Sequence, residues 1–216
     1  MFSLPYTATV NRVVPKNTFD SYTNARQKRL FTNLIARITW QYKLSPETIN
    51  LESKDIKEIQ IFRVELKVKE EIKQVLDIID KAIPYHIIFL VEYEGQTYLS
   101  TSPKHPNPLN EHNSVIDWNF KTAWFNRSQN KYKLELKKSI DAVYHDFCNQ
   151  LSNRPQLKHK SFADLLEYNK NVETLKGEIK TLKSNIGKCK QFNHKVDLNI
   201  KLKETEKRLQ ALLSDT

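Results

Sequence analysis

An α+β protein, with a mixed β-sheet packed by helices and a long C-terminal helical arm resembling a coiled coil, is the fold class the sequence predicts. Three observations predict it. In some segments apolar residues alternate with polar ones and in others they recur every third or fourth residue, so strands and helices are interspersed. Hydrophobic residues make up 39% of the 216 and aromatic residues 10%, enough to bury a core. Towards the C-terminus the helical spacing settles into alternating steps of three and four, the seam of a coiled coil. The expected organisation is an α+β domain at residues 1–155 and a helical arm at residues 156–216.

The elements follow in order. Phe31, Leu34, Ile35, Ile38 and Tyr42 share one helical face, which predicts a first helix from after Ser21 to about Tyr42, closed by Leu44-Ser45-Pro46. In "EIQIFRVELKV", Phe62, Val64, Leu66 and Val68 alternate with Arg63, Glu65 and Lys67, the pattern of a strand with one buried face. Ile72, Val75, Leu76 and Ile79 mark a second helix that ends at Pro84. "HIIFLVEYEGQTYLSTS" reads as a hairpin turning at Glu94-Gly95-Gln96, with a first arm apolar enough for an interior strand. "PKHPNPLNEHN" reads as loop. "SVIDWNFKTAWF" then reads as a strand offering Trp118 and Trp124 to the core, and Leu136, Ile140, Val143, Tyr144 and Phe147 as a third helix.

"NRPQ", at residues 153–156, is the expected boundary of the arm. Its seam runs through Leu165, Tyr168, Val172, Leu175, Ile179, Leu182, Ile186 and Cys189 to Asn193 and Val196. Beyond that the stripe shifts to Leu198, Leu202, Leu209 and Leu212, a slip in heptad phase. Gly177 and Gly187 each cost a helix interior roughly 1 kcal/mol relative to Ala. A mostly continuous helix is the favoured form, with a hairpin turning near Ser184–Gly187 the alternative.

Composition narrows the function. The only three glycines are scattered, so a glycine-rich phosphate loop is excluded. Two cysteines, and an N-terminus with neither a basic start nor a long apolar run, lead one to expect a reducing cytoplasm. The longest apolar run, "IIFLV", falls far short of the roughly 20 residues that span a bilayer, so no membrane partner is expected. The net charge of +10 is concentrated in two blocks. Residues 10–43 carry seven basic side chains against Asp20 alone, among them Arg26, Lys28, Arg29 and Arg37. Residues 180–203 carry seven lysines against Asp197 alone, among them Lys188, Lys190, Lys195 and Lys201. Polyanions are natural partners for such blocks, although lysine-rich helix faces are also ordinary solvated surface.

The stretches "ITWQYKLSPETINL", "EIQIFRVELK", "IDKAIPYHIIFLVEYEG" and "KQFNHKVDLNIKLK", which occur in this order, resemble a bacterial family of domains of unknown function, number 4391, from about Val10 to Leu213. The resemblance implies a companion of restriction-type helicases and DNA methyltransferases in mobile defence loci, and carries over no catalytic residue.

Three constellations remain. Glu65-Leu66-Lys67 is half of the metal site of many restriction-type nucleases, where a carboxylate holds Mg²⁺ and a lysine stabilises the attacked phosphate. The missing half is an acid on the preceding strand, and Glu52 and Asp55 lie in a stretch that reads as turn. His145 with Cys148 and Cys189 with His194 supply zinc-ligand types at loose spacing, and both cysteines read more simply as small buried hydrophobes. In "KCKQFNHKVDLNIKLK", Gln191, Asn193 and Asn199 are spread around the helix and Phe192 lies off the seam. That predicts a junction, with Phe192, Val196 and Leu198 docked on another surface and the lysines open to an anion. The expected function is a non-catalytic, nucleic-acid-associated subunit of a restriction or phage-defence assembly without a cofactor. It would contact DNA and a restriction-type helicase or methyltransferase. The alternatives are a Mg²⁺-dependent nuclease centred on Glu65 and Lys67, and a protein adaptor that acts, or dimerises, through its arm.

Overall fold

The computed structural model describes residues 2–108, 110–152 and 161–214, with the backbone alone at 110–113. Contacts divide the chain into two units, Met1–Ser152 and Asn153–Thr216. Residues 153–156, expected as the boundary, lie outside the described residues. The protein is α+β: one unit holds a mixed sheet with its helices, and the other is helical.

In the first unit the strands and helices are β1 (Thr9–Val13), α1 (Ala25–Leu34), β2 (Ile35–Leu44), α2 (Pro46–Ile49), β3 (Ile59–Leu66), α3 (Lys73–Ala82), β4 (His86–Tyr93) and β5 (Gln96–Thr101). There follow β6 (Lys104–Asn107), β7 (Asn110–Ile116), β8 (Phe120–Lys121), β9 (Phe125–Asn126) and α4 (Ile140–Gln150). The main sheet has the order β1-β2-β3-β4-β5-β8, and β9 also pairs with β5. The β3–β4 pair is parallel and joined through α3, whereas β2–β3 and β4–β5 are antiparallel. The β4–β5 hairpin turns on Glu94 and Gly95, both at positive φ, as its two-residue loop requires.

The first helix is shorter than expected. It ends at Leu34, and residues 35–44 form a strand. Two irregularities in the β2–β3 register, at Ile35/Arg37 and Trp40/Tyr42, explain the misreading. A bulge adds a residue and shifts the two-residue period, so Ile35 and Ile38 face the same core three positions apart, a spacing that imitates a helix. "PKHPNPLNEHN" is likewise no simple loop, since β6 and β7 pair as a separate two-stranded sheet. Pro106 is tolerated there because a two-stranded sheet consists of edges. The expected strand after it is broken into the end of β7, β8 and β9, and Trp118 and Trp124 are half-buried. Leu136 lies outside the third helix, which starts after Ser139, whose hydroxyl accepts the Ala142 N–H.

One sheet face packs on α1, α3 and the 3₁₀ segment Lys16–Tyr22 through Phe19, Phe31, Phe62, Val64, Val75, Ile79 and Phe89. At one end of the opposite face lies α4. Its buried Tyr144 shares a hydrogen bond with Thr101 (3.0 Å) and meets the His86 ring edge-on at 4.6 Å. Asp141 ties the loop before β3 to α4 by accepting the backbone N–H groups of Lys54, Asp55 and Ile56. Burial alone would raise its pKa, but these donors outweigh it and hold the carboxyl below its ordinary value.

The second unit is a helical hairpin, α5 (Phe162–Lys188) followed by α6 (Phe192–Ser214), where a mostly continuous helix was expected. The break at residues 189–191 lies just past Gly187, and an ion pair of 2.8 Å between Lys183 and Glu206 shows α6 folded back along α5. Folding back supplies the seam with a partner from the same chain. Leu198 and Thr205 are the buried positions of α6.

Candidate functional site

Glu65 and Glu92 stand side by side in register near the carboxyl ends of the parallel strands β3 and β4, the end of an α/β unit where ligand sites form. Their carboxylates are engaged. The Arg63 guanidinium donates to Glu65 at 2.9 Å and to Glu92 at 2.7 Å, and Arg127 approaches Glu92 at 3.4 Å. Across the sheet, the residue opposite Glu65 on β2 is Arg37. A restriction-type metal site needs an acid on that strand, and β2, "IARITWQYKL", contains none. Glu52 and Asp55 stay in the loop: the carbonyl of Glu52 accepts the Ile140 N–H, and the Asp55 amide donates to Asp141. Lys67 is exposed and its ammonium donates to the Thr32 carbonyl at 2.7 Å.

The first basic block is spread over α1 and β2: Arg26 and Arg29 lie on α1, Arg37 near the start of β2, and Lys43 at the far end of β2, paired with Glu58 at 3.2 Å. An Asn24–Gln27 capping box starts α1. At its other end the carbonyls that no helical N–H can reach are met from outside. Lys67 binds the Thr32 carbonyl through its side chain and the Leu34 carbonyl through its amide, and Lys16 reaches the Ile35 carbonyl at 2.6 Å. Burial and the neighbouring charge of Lys67 both lower the pKa of Lys16. Arg26, Arg29 and Arg37 are exposed, whereas Lys28 is paired with Asp20 at 3.0 Å. Lys67 thus stands beside Lys16 of the same basic block. Its place there was not legible in the sequence, because only the fold brings it to the end of α1.

The second basic block is at the hairpin tip. Lys188, Lys190, Lys195 and Lys201 are all exposed. So are Gln191 and Asn193, which therefore holds no buried seam position. Asn199 donates to the Lys195 carbonyl one turn back. Of the apolar residues expected to dock, Leu198 is buried, but Phe192 is 78% exposed and Val196 42%. Ile200, also exposed at 51%, was not singled out.

Among the described residues no group of three or more His, Cys, Asp or Glu side chains is placed to hold a metal ion. Cys148 is fully buried and its thiol pKa is raised by that burial, while burial lowers the pKa of His145. Cys189 is half-buried and His194 exposed. No helix among the described residues is long and apolar enough to cross a membrane.

These features define an α+β protein with a mixed sheet, a basic α1–β2 surface and a helical hairpin with a basic tip. The family model for DUF4391, a domain of unknown function, matches residues 2–209, and the chain belongs to that family. No curated protein and no solved structure matches it.

Proposed function

We propose that the protein is a cytoplasmic, non-catalytic, nucleic-acid-associated accessory subunit of a restriction or phage-defence type assembly. The observation that supports this reading is the positive charge carried by consecutive elements, with Arg26 and Arg29 exposed on α1, Arg37 exposed on β2, and Lys16 and Lys67 converging at the end of α1. Concentrated positive charge on a rigid helix and strand suits contact with phosphates, DNA above all. The exposed lysines at the hairpin tip, Lys188, Lys190, Lys195 and Lys201, offer a second cationic surface. A restriction-type helicase or methyltransferase is the protein partner this reading requires. Dimerisation through the arm is not part of it, because α6 already occupies the seam of α5.

The test is binding of a labelled DNA duplex across a salt series. Affinity is expected to fall by roughly 0.9 log unit per log unit of salt for each phosphate neutralised. The Arg26→Gln/Arg29→Gln/Arg37→Gln variant should bind more weakly, with a flatter slope and an unchanged fold. Absent or salt-independent binding would sink the reading.

The nuclease is a second reading, favoured by one observation: Glu65 and Glu92 are paired at the carboxyl ends of parallel strands. It requires Mg²⁺ to displace Arg63 from both carboxylates. DNA cleavage in Mg²⁺ that disappears in Glu65→Ala would establish it in place of the first.

A further inference from the structure

The outward face of α1 combines free cations with small side chains. Leu30, Phe31 and Leu34 turn inward to the core, and at about 100° per residue the opposite side of the helix is formed by Ala25, Arg29 and Thr32, flanked by Arg26 and Asn33. All five are exposed. Among the described residues no hydrogen bond or ion pair holds the side chain of Arg26, Arg29 or Asn33, whereas those of Gln27, Lys28 and Thr32 are tied to Asn24, Asp20 and the Lys28 carbonyl. The helix sequence, "ARQKRLFTNL", holds three cations and no carboxylate, and Asp20 neutralises only Lys28. Beside the N-terminal turn, Asn24 and Gln27 line a trough of about 1080 Å³ that α3 also lines through Lys73, Gln74, Asp77 and Lys81. Asp77 pairs with Lys73 at 2.6 Å, and exposed Lys81 has no ion-pair partner among the described residues.

We propose that α1 is a base-reading helix that enters the major groove of duplex DNA, with Arg29 and Asn33 on base edges and Arg26 on a phosphate. Charge, size and side-chain chemistry select this occupant. A helix is ~10–12 Å across and the groove ~12 Å wide, and the ten residues of α1 extend ~15 Å, enough to follow about four base pairs. Arginine pairs bidentately with guanine and asparagine with adenine, and the methyl groups of Ala25 and Thr32 suit thymine. Lys81, across the trough, offers a cation to the phosphates that flank the groove. An acidic protein would find only Ala25 and the Thr32 methyl to bury, too little apolar surface for an interface core. A lipid surface needs an apolar outward stripe, which α1 lacks. In an RNA duplex the major groove is too deep and narrow to be read this way. The inference rests on the nucleic-acid reading and deepens it from phosphate contact to sequence recognition.

The experiment uses the full chain and duplex DNA with a randomised stretch between constant arms, selected for binding at physiological ionic strength. The selected sequence should bind at least about tenfold more tightly than the same duplex scrambled, the difference that one or two good base contacts supply. Arg29→Lys and Asn33→Ala leave the net charge unchanged. Each should bring that ratio towards one without altering affinity for the scrambled duplex, its salt slope or the helicity by circular dichroism. Arg26→Gln should instead weaken both duplexes alike and lower the salt slope by about 0.9. Salt-dependent binding from which no sequence is selected would overturn the inference and leave the nucleic-acid reading standing. So would a preference that survives both Arg29→Lys and Asn33→Ala, or one that an RNA duplex of the same sequence shares. Absence of binding to any duplex would sink both.

Discussion

His86 packs edge-on against Tyr144, and burial, helped by the charge of Lys104, pushes its pKa down to about 4. The unfolded chain protonates this imidazole near pH 6.5, about 2.5 pH units higher, which amounts to about 3 kcal/mol of linked stability. Because the folded value is depressed, that stability is complete above pH 6.5 and is lost as pH falls towards 4. Urea unfolding across this range should show the loss, His86→Gln should remove much of it, and an NMR titration should place the imidazole near 4. Lys104, whose charge bears on His86, and its partner Asp80 are both almost wholly buried. The ammonium makes three contacts, to the Asp80 carboxylate and to the carbonyls of Asp80 and Ile83, and so closes the C-terminal end of α3. Lys104→Met should cost roughly 3–5 kcal/mol, the usual consequence of stranding a buried charge. Adding Asp80→Leu should recover only part in urea unfolding, since two carbonyl groups would still lack their donor.

Among the elements, the hairpin arm gives the clearest stability test. Gly177 lies inside α5, where an added Cβ would meet nothing within 4 Å. Gly177→Ala should therefore stabilise the helix by about 0.5–1 kcal/mol, seen as a higher melting midpoint by circular dichroism. Phe192→Ala should leave that midpoint nearly unchanged, because an exposed ring loses little packing when truncated. This is the reverse of what docking within the chain would produce. The β2 strand is held differently, between β1 and β3, and its bulges let Ile35 and Ile38 share one core while Arg37 stays exposed.

On the scale of the whole molecule, the net charge of +10 resolves into two surfaces that can be neutralised separately. If both contact one polyanion, the Arg26/Arg29/Arg37 and Lys188/Lys190/Lys195 glutamine variants should each flatten the salt slope of DNA binding, and their combination should flatten it by the sum. If the tip lies outside the DNA contact, only the first variant should change the slope.

The α+β class, the α3 helix, the β4–β5 hairpin and the helical arm were legible because each rests on a local pattern: a period, a turn pair or a sustained seam. Family membership was legible for a similar reason, since the resemblance rests on whole contiguous stretches such as "KQFNHKVDLNIKLK" occurring in order. What the sequence could not settle was decided by pairing between distant segments. Residues 35–44 became a strand because β1 and β3 flank them and bulges hide the strand period. The arm became a hairpin because folding back gives α5 a seam partner that a continuous helix lacks. The surroundings of Glu65 were likewise decided at a distance: Arg37 and Glu92 stand opposite it on the neighbouring strands, and only the register of β2, β3 and β4 determines that an arginine stands where a nuclease would need an acid.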